Sequence, residues 1–562
     1  MSKKVVIIGG VAGGATAAVR LRRLDEFAEI IVLERGDYVS FANCGLPYYV
    51  GGVIKEKERL QLVTPDTFLR RFNIDIRLNN EAIAIDREKK SILVKDRKEN
   101  KDYNLDFDYL ILAPGAEPIR PPFKGIEEVS VFSLRTIPDT YDIDEFITQN
   151  NPAHATIIGG GFIGLEMAEN LKNRGLDVTV VELVDQVMVT LDREMAQFVH
   201  QELYLNDTDL VLGDGVDSFA KNTEGKTIVR TQSGNEVLTD MVILAIGIKP
   251  ESKLAKECGL ELGQRGHIIV NKNMKTSDDS IFAVGDAVQV IDLITGDSAV
   301  VPLAGPANKQ GRIAADNIAG RKSEYNGVLG AAVVKIFDIV VAQVGLNEKR
   351  LKNTNIKYEK VYTYPINHPS YYPNREKLAL KLLFEVPSGK ILGAQVIGGK
   401  GAEKRVDIIS TVIYFSGTVF DLEQLEITYA PPFNNAKAAV NVLGYVASNM
   451  LKGDFDYWHW DEAGKLVENN DYLLDIRRED EYVRGTIGNA IQMNDLDLRT
   501  RIDEIPKDKD IYIFCEEGYR AYIAQRHLTQ RGYKVKNLVG GYIFYKMAQA
   551  SKEELLTRIA FN

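Results

Sequence analysis

TIIGGGFIGLEMAENLKNRGLDVTVVE, residues 156–182, decides the fold. A short apolar run leads into glycines at 159, 160, 161 and 164, a helical stretch follows, and a second apolar run ends on Glu182. Apolar runs without polar interruption read as strands covered on both faces of a parallel sheet. Glycine lets the backbone turn sharply and approach a pyrophosphate, which the N-terminus of the following helix stabilises. Gly159, Gly161 and Gly164, with Phe162 and Ile163 in the same turn, are therefore expected to hold a dinucleotide. Glu182 stands where a carboxylate accepts from ribose hydroxyls, which favours NADH over NADPH.

The N-terminal stretch KVVIIGGVAGGATAAVRLRR, residues 4–23, repeats the pattern less perfectly. Gly9 and Gly14 are in place, with Ala12 between them, but Val11 occupies the middle position. Glu34 closes the next strand, IIVLE, and Arg35 follows it. Two further strands end in glycine turns: ILAPGAEP (111–118), with Ala113 and Gly115, and ILAIGIKP (243–250), with Gly247. TSDDSIFAVGDA (276–287) ends a strand with Asp286. This last segment resembles the late FAD motif of flavoproteins with two dinucleotide sites, where the aspartate binds the ribityl chain; Ala304 joins the FAD set by the same resemblance. Two such sites in one chain imply two cofactors that exchange electrons, FAD at the first and NADH at the second.

With 562 residues the chain is too long for one core. A formal net charge of −10 without a basic block argues against nucleic acid as a partner. The glycines that interrupt the N-terminal apolar run fit a strand and turn better than a signal peptide, and no apolar stretch reaches membrane-spanning length. Three widely spaced cysteines form no disulfide framework, so a reducing, cytoplasmic setting is expected. The six histidines do not cluster and no C-x-x-C occurs, so no metal is expected.

Cys44 lies in SFANCGLPYYVGG, residues 40–52. This segment resembles the redox segment of single-cysteine pyridine nucleotide–disulfide reductases, above all the coenzyme A disulfide reductases. Relatives with two active cysteines carry a C-x4-C pair, whereas here the fifth position on is Tyr49. A lone thiolate beside a flavin makes its disulfide with the substrate or becomes a sulfenic acid. Cys44 is expected to open a short helix through Leu46, Pro47 and Tyr48, whose dipole would lower the thiol's pKa. Cys258, in AKECGLEL, reads as a structural residue at a helix end.

The resemblance implies a coenzyme A cradle of Thr16, Arg20, Arg23, Ser40 and Asn43, with Arg71, Asn308 and Lys437 as weaker matches; Asn43 also counts among the flavin contacts. Arginine and lysine suit the coenzyme's phosphates. Tyr371, in HPSYYPNRE (368–376), and Tyr429, in EITYAPPFNNAK (426–437), match paired tyrosines of this family that reach the partner subunit's active site, and the resemblance implies a homodimer. A phenol there can give a proton to a leaving thiol.

The tail resembles a rhodanese domain, from Asp475 and Arg477 through the Gly485 turn to the C-x-x-G-x-R loop at Cys515, Gly518 and Arg520. Backbone N–H groups of such a loop can stabilise a thiolate or persulfide, and Arg520 is expected to hold the loop or the substrate. Thr486 stands where the family usually has histidine. Glu516 and Glu517 bring two carboxylates into the loop, which should repel small anions such as thiosulfate. Before it, GDFDYWHWDEAGKL (453–466) holds both tryptophans, one of which is expected to be anchored on a domain surface.

The expected architecture is α/β. It comprises an FAD domain (1–115 and 248–325) with an NAD domain inserted (116–247), an α+β interface domain (326–450), a linker (451–465) and a rhodanese domain (466–562). The expected activity is NADH-driven, FAD-dependent reduction of a coenzyme A disulfide, persulfide or polysulfide at Cys44, with Cys515 relaying sulfane sulfur and a sulfur-donor protein as a candidate partner. An NADH oxidase or peroxidase using a Cys44 sulfenic acid is the alternative, and a redox-sensing sulfur carrier is a third reading.

Overall fold

The computed structural model describes residues 2–561, which form two compact units: residues 2–183 with 214–330, and residues 184–213 with 331–561.

The first unit holds two parallel sheets. In one, the strand order is Ile281–Ala283, Tyr109–Leu112, Lys4–Ile8, Glu29–Glu34, Asp75–Leu78. Val5, Val6, Ile7 and Val32 are fully buried, as expected for strands covered on both faces. The helices Ala12–Arg22 and Ala304–Ile318 cross closely through glycine: a Cβ on Gly311 would stand 2.3 Å from the carbonyl oxygen of Gly13. Two helices that begin 292 residues apart in sequence thus pack against each other. The second sheet contains Asp177–Glu182, His154–Ile158, Met241–Leu244 and Val131–Ser133 in that order, all parallel. The antiparallel pair Ala116–Pro118 and Ile248–Pro250 joins the two lobes where the chain passes between them.

The second unit is built on an antiparallel sheet ordered Ala332–Ile336, Ile339–Gly345, Ile391–Gly398, Leu378–Glu385, Tyr358–Thr363. A separate parallel sheet follows in the tail, ordered Asp456–Trp458, Lys534–Leu538, Asp510–Phe514, Tyr472–Asp475, Ile491–Gln492. The stretch expected as a linker therefore supplies an edge strand of the tail, and its Trp458 is buried in that domain's core. Residues 184–213, expected inside the NAD domain, pack with this unit through the helix Arg193–Leu205. Gln201 on that helix is buried and clamps the C-terminal segment. Its Oε1 accepts from the N–H groups of Ile559 (2.6 Å) and Ala560 (2.9 Å), and its Nε2 donates to Ala560 O (3.1 Å). Phe198, Phe544 and Phe561 pack around the clamp.

A charge cluster lies nearby. Lys381, 0% exposed in the middle of an apolar strand, pairs with Asp192 at 2.7 Å and also with Glu194 and Glu348. Burial pulls its ammonium down, but the carboxylates overcome this and hold it well above its ordinary pKa. Burial likewise pushes Glu348 up, yet Lys381 and Lys360 bring it down to about 2. Asp192, Glu194 and Glu348 are also the one acidic triad among the described residues with the spacing of metal ligands, and the Lys381 ammonium pairs with all three. No helix among the described residues is long and apolar enough to cross a membrane.

Replacing Lys381 with methionine keeps the stem but removes the cation that Asp192 and Glu194 share, leaving Glu348 with Lys360 alone. Denaturant unfolding should show a loss of about 3–5 kcal/mol; a loss below ~1 kcal/mol would contradict the cluster's role as an anchor. The stabilisation from Glu348, whose folded pKa is depressed, is present above its ordinary pKa near 4.5 and is lost as pH falls toward about 2.

Candidate active site

Both glycine turns have the shape that a dinucleotide requires. Gly9 (φ +96°) and Gly159 (φ +106°) are in the left-handed region, and a Cβ on either would collide with a carbonyl oxygen, Ala113 O at 2.1 Å or Ala245 O at 2.5 Å. Gly14 and Gly164 lie equally tight against Gly9 O and Gly159 O. Gly161 differs: a Cβ there meets nothing within 4 Å. It faces open space at the start of the helix Phe162–Asn173, where a pyrophosphate would lie. Glu182 accepts from Gly160 N–H at 2.7 Å, and Glu34 accepts from Gly10 and Gly36 N–H at 3.0 and 2.9 Å. Each acid thus braces its own turn at the edge of the cradle. Val11 caps the first helix, which begins at Ala12, and Ala304 opens the late one. Gly247 also has positive φ, and Arg35 is ion-paired with Glu251. These residues fit FAD in the first cradle and NADH in the second.

Cys44 is exposed and free, on a 3-10 turn Asn43–Gly45. The α-helix starts only at Leu46 and runs five residues to Val50, so Cys44 precedes the helix and does not open it. The structure reverses the predicted shift. Partial desolvation, then the carboxylates of Glu166 and Asp286, push the Cys44 thiol above its ordinary pKa, while Arg135 pulls it down. Arg135 organises this corner. It pairs with Asp286 at 3.2 Å, and with the Asn43 amide oriented to satisfy its hydrogen bonds, Asn43 donates to Arg135 O (2.7 Å) and accepts from its Nη1 (3.1 Å). A Cβ on Gly115 would stand 2.8 Å from Arg135 Nη2. Tyr48 donates to Glu166 at 3.3 Å, and burial raises Glu166 to about 7 against that hydrogen bond.

Within the expected coenzyme cradle, Thr16 donates to Asn308 at 2.5 Å, and Ser40 adopts φ +49° where its N–H reaches Gly10 O at 2.9 Å. Arg20, expected as a phosphate cation, is instead committed to Asp316 at 2.7 Å, which leaves Arg23, Arg71 and Lys437 as the exposed cations of the set.

The second unit gathers the other predicted residues. Tyr371 and Tyr429 are exposed and share a 2.9 Å hydrogen bond between their hydroxyls. With Lys377, Lys437 and Glu517 they line a cavity of about 530 Å³ whose apolar wall is Pro365, Ile366 and Pro369. Glu517 comes from the tail, two residues beyond Cys515. The Cys515 loop follows the strand Asp510–Phe514 and opens the helix Tyr519–Thr529, with Gly518 at φ +87°. The Cys515 sulfur, 1% exposed, accepts from Ala521 N–H at 3.4 Å. Burial pushes its thiol up, opposed by that N–H, by Arg520 and by the N–H groups of Glu517 and Gly518. Arg520 is held by Glu481, so it braces the loop. Thr486, in the place of the usual histidine, donates to Asp475 at 2.8 Å. Glu516 and Glu517, expected to repel small anions, are paired with Arg477 and Lys377. Cys258 ends the short helix Lys253–Glu257, as its sequence suggests.

These two dinucleotide cradles, a solitary thiol between Asn43 and Gly45, and a second thiol in a tail loop frame the comparisons with known proteins. The pyridine nucleotide-disulphide oxidoreductase family matches residues 3–311, its dimerisation domain 331–440, and the rhodanese-like domain 459–547. The chain belongs to the pyridine nucleotide-disulphide oxidoreductase family. Coenzyme A disulfide reductase of Staphylococcus epidermidis is 35% identical over 445 residues, 79% of this chain and 99% of that one. Reduced CoADR-RHD of Bacillus anthracis is 50% identical with a TM-score of 0.95 and 98% of each chain covered. An NAD-dependent persulfide reductase from A. fulgidus is 38% identical with a TM-score of 0.90, covering 97% of this chain and all of that one.

Sequence reasoning missed Arg135, Glu166, Tyr48 and Lys377. Glu166 and Tyr48 lie inside motifs already singled out; Arg135 and Lys377 act through contacts distant in sequence and carry no local signal. Glu166→Gln removes one of the two carboxylates that hold the Cys44 thiol up. The pH midpoint for alkylation of reduced Cys44 should fall, with a rise of about two- to tenfold in the rate at neutral pH. The difference should fade as pH drops below about 7, where Glu166 becomes neutral. An unchanged midpoint would contradict the electrostatic coupling.

Proposed function

We propose that this chain is an FAD-dependent, NADH-driven reductase of coenzyme A disulfide, coenzyme A persulfide or polysulfide, working as a homodimer, with Cys515 relaying sulfane sulfur. The observation that carries the reading is Cys44: a free thiol beside Asn43, Arg135 and Asp286, in a chain whose other two cysteines are also free. FAD, when bound, supplies the electron pair that arrives as hydride from NADH.

The residues of the chain do the rest. Gly161, Glu182 and the helix start at Phe162 position NADH; Gly9, Gly14, Glu34 and Asp286 position the flavin. Deprotonated Cys44 attacks the sulfur of the incoming disulfide, forms the mixed disulfide with coenzyme A and releases the other thiol. Burial, Glu166 and Asp286 disfavour the thiolate, while Arg135 favours it. Thr16, Arg23, Ser40, Asn43, Arg71 and Asn308 receive the coenzyme. Tyr371 and Tyr429 donate a proton to the thiol released at the partner subunit's Cys44.

The cavity that joins Tyr371 and Tyr429 to Glu517 of the Cys515 loop supports the sulfur branch. An oxidase or peroxidase role would leave that loop without a task. Three free thiols suit a reducing, cytoplasmic setting.

Stopped-flow and steady-state assays on two variants test the assignment. Cys44→Ser should keep its flavin absorbance and lose NADH-driven reduction of coenzyme A disulfide and persulfide by about 10³-fold or more. Cys515→Ser should still reduce preformed coenzyme A persulfide and fail only when sulfur comes from a separate donor. Retained reduction in the first variant, or undiminished use of a separate donor in the second, would contradict the corresponding role.

A further inference from the structure

The Cys515 loop carries carboxylates at the two positions after its nucleophile, and each has a cation of its own. Glu516 accepts from Arg477 Nη1 at 3.0 Å. Arg477 is almost wholly buried and bound twice to Asp475, at 3.0 and 2.8 Å. It also donates to Gly485 O at 2.5 Å, and its guanidinium lies 3.8 Å from the centre of the Tyr542 ring. Glu517 pairs with Lys377, which comes from the interface domain and also donates to Tyr364 O at 3.3 Å. Arg520 is gripped by both oxygens of Glu481 at 2.9 and 2.6 Å and lies 3.7 Å from Asp495. Arg484, farther out, lies 4.0 Å from Asp480. Every one of these four cations faces a carboxylate of the same chain. Lys437 lines the adjoining cavity and is assigned above to the coenzyme.

This arrangement discriminates between sulfane donors by where they carry charge. In thiosulfate the sulfonate oxygens sit one bond from the sulfur to be transferred, so the charged group must enter the loop with it. There it would meet Glu516 and Glu517 with their counter-cations already saturated, and burying an uncompensated anion is costly. Cys515 is 1% exposed, which makes the desolvation nearly complete. An organic persulfide presents a methylene group at the corresponding place and keeps any charge several bonds away. The wall of Pro365, Ile366 and Pro369 beside Glu517 suits such a chain.

We infer that Glu516 and Glu517, by saturating Arg477 and Lys377, make the Cys515 loop a specificity filter that admits the sulfur end of an organic persulfide or polysulfane and rejects oxyanion sulfane donors. The inference rests on the relay role proposed for Cys515 and adds the chemical class of its donor. In the step, the Cys515 thiolate attacks the terminal sulfur of R–S–SH. The new Sγ–S bond forms as the R–S to S bond breaks. The bonding pair leaves on the R–S sulfur, which takes the proton released by the terminal sulfur, giving RSH and Cys515–S–S⁻. No electrons are gained or lost overall.

The test uses full-length, reduced holoprotein incubated with thiosulfate or with glutathione persulfide at equal concentration, followed by mass-spectrometric mapping of sulfur added to Cys515. The wild type should be labelled from glutathione persulfide at least about tenfold faster than from thiosulfate. Glu516→Gln and, separately, Glu517→Gln should each narrow that ratio through a gain with thiosulfate. Glu517 is the more exposed of the two, so its variant keeps the test valid should Glu516→Gln fail to fold. Equal labelling of the wild type by both donors would overturn the inference while leaving the relay intact. So would an unchanged ratio in variants whose melting temperature and flavin absorbance match the wild type. Labelling of Cys515 by neither donor would remove the relay itself, and the inference with it.

Discussion

Cys44 has no thiol of its own chain to bond. Its neighbours in sequence are an asparagine and a glycine, the position that would complete a redox pair is Tyr49, and all three cysteines of the protein are free. In a family whose chemistry passes electrons into disulfides, that constraint obliges the substrate to supply the second sulfur. The surrounding charges follow from it. Partial burial, Glu166 and Asp286 oppose the thiolate and Arg135 favours it, which on balance holds the thiol above its ordinary pKa. A residue that must form and release a bond to a foreign sulfur in each turnover benefits from a balance that substrate binding can tip.

The same logic extends to the tail. A sulfurtransferase loop is useful to a reductase only if its sulfur reaches the reductase's substrate. In the second unit the tail is held against the helix Arg193–Leu205 by a buried glutamine clamp and an aromatic contact, and against the interface domain by the Lys377–Glu517 ion pair. The Lys381 cluster fixes the helix that carries the clamp. These contacts make one cavity accessible to Tyr371, Tyr429 and Glu517 together. Ion pairs buried this deeply add little net stability, but removing one partner is severe, so they enforce one arrangement.

Much of this was legible in the sequence where chemistry is local. Glycine spacing, a terminal acid and apolar strands announced both dinucleotide sites, because the tight turn imposes its residue types on a few consecutive positions. The lone cysteine motif and the C-x-x-G-x-R loop were equally self-contained. The paired tyrosines were found only through resemblance, and the structure brings their hydroxyls to 2.9 Å across 58 residues. What escaped were long-range electrostatics. Arg135 lies 91 positions from Cys44, and Lys377 lies 140 positions from Glu517. Arg20 looked like a phosphate ligand until the fold gave it Asp316, and the cations that the loop carboxylates occupy, Arg477 and Lys377, carry no local signal. One of Trp458 and Trp460 was expected to be anchored; it is Trp458, and its strand pairing depends on Lys534–Leu538, which lies beyond any local window.

The most direct measurement is mass spectrometry of the purified, unreduced holoprotein, with peptide mapping of each cysteine. The account predicts coenzyme A disulfide-linked to Cys44 and released by dithiothreitol, with Cys258 unmodified. A bond from Cys44 to Cys258 or Cys515, or a Cys44 that is oxidised to sulfenic acid and never carries a thiol, would contradict it.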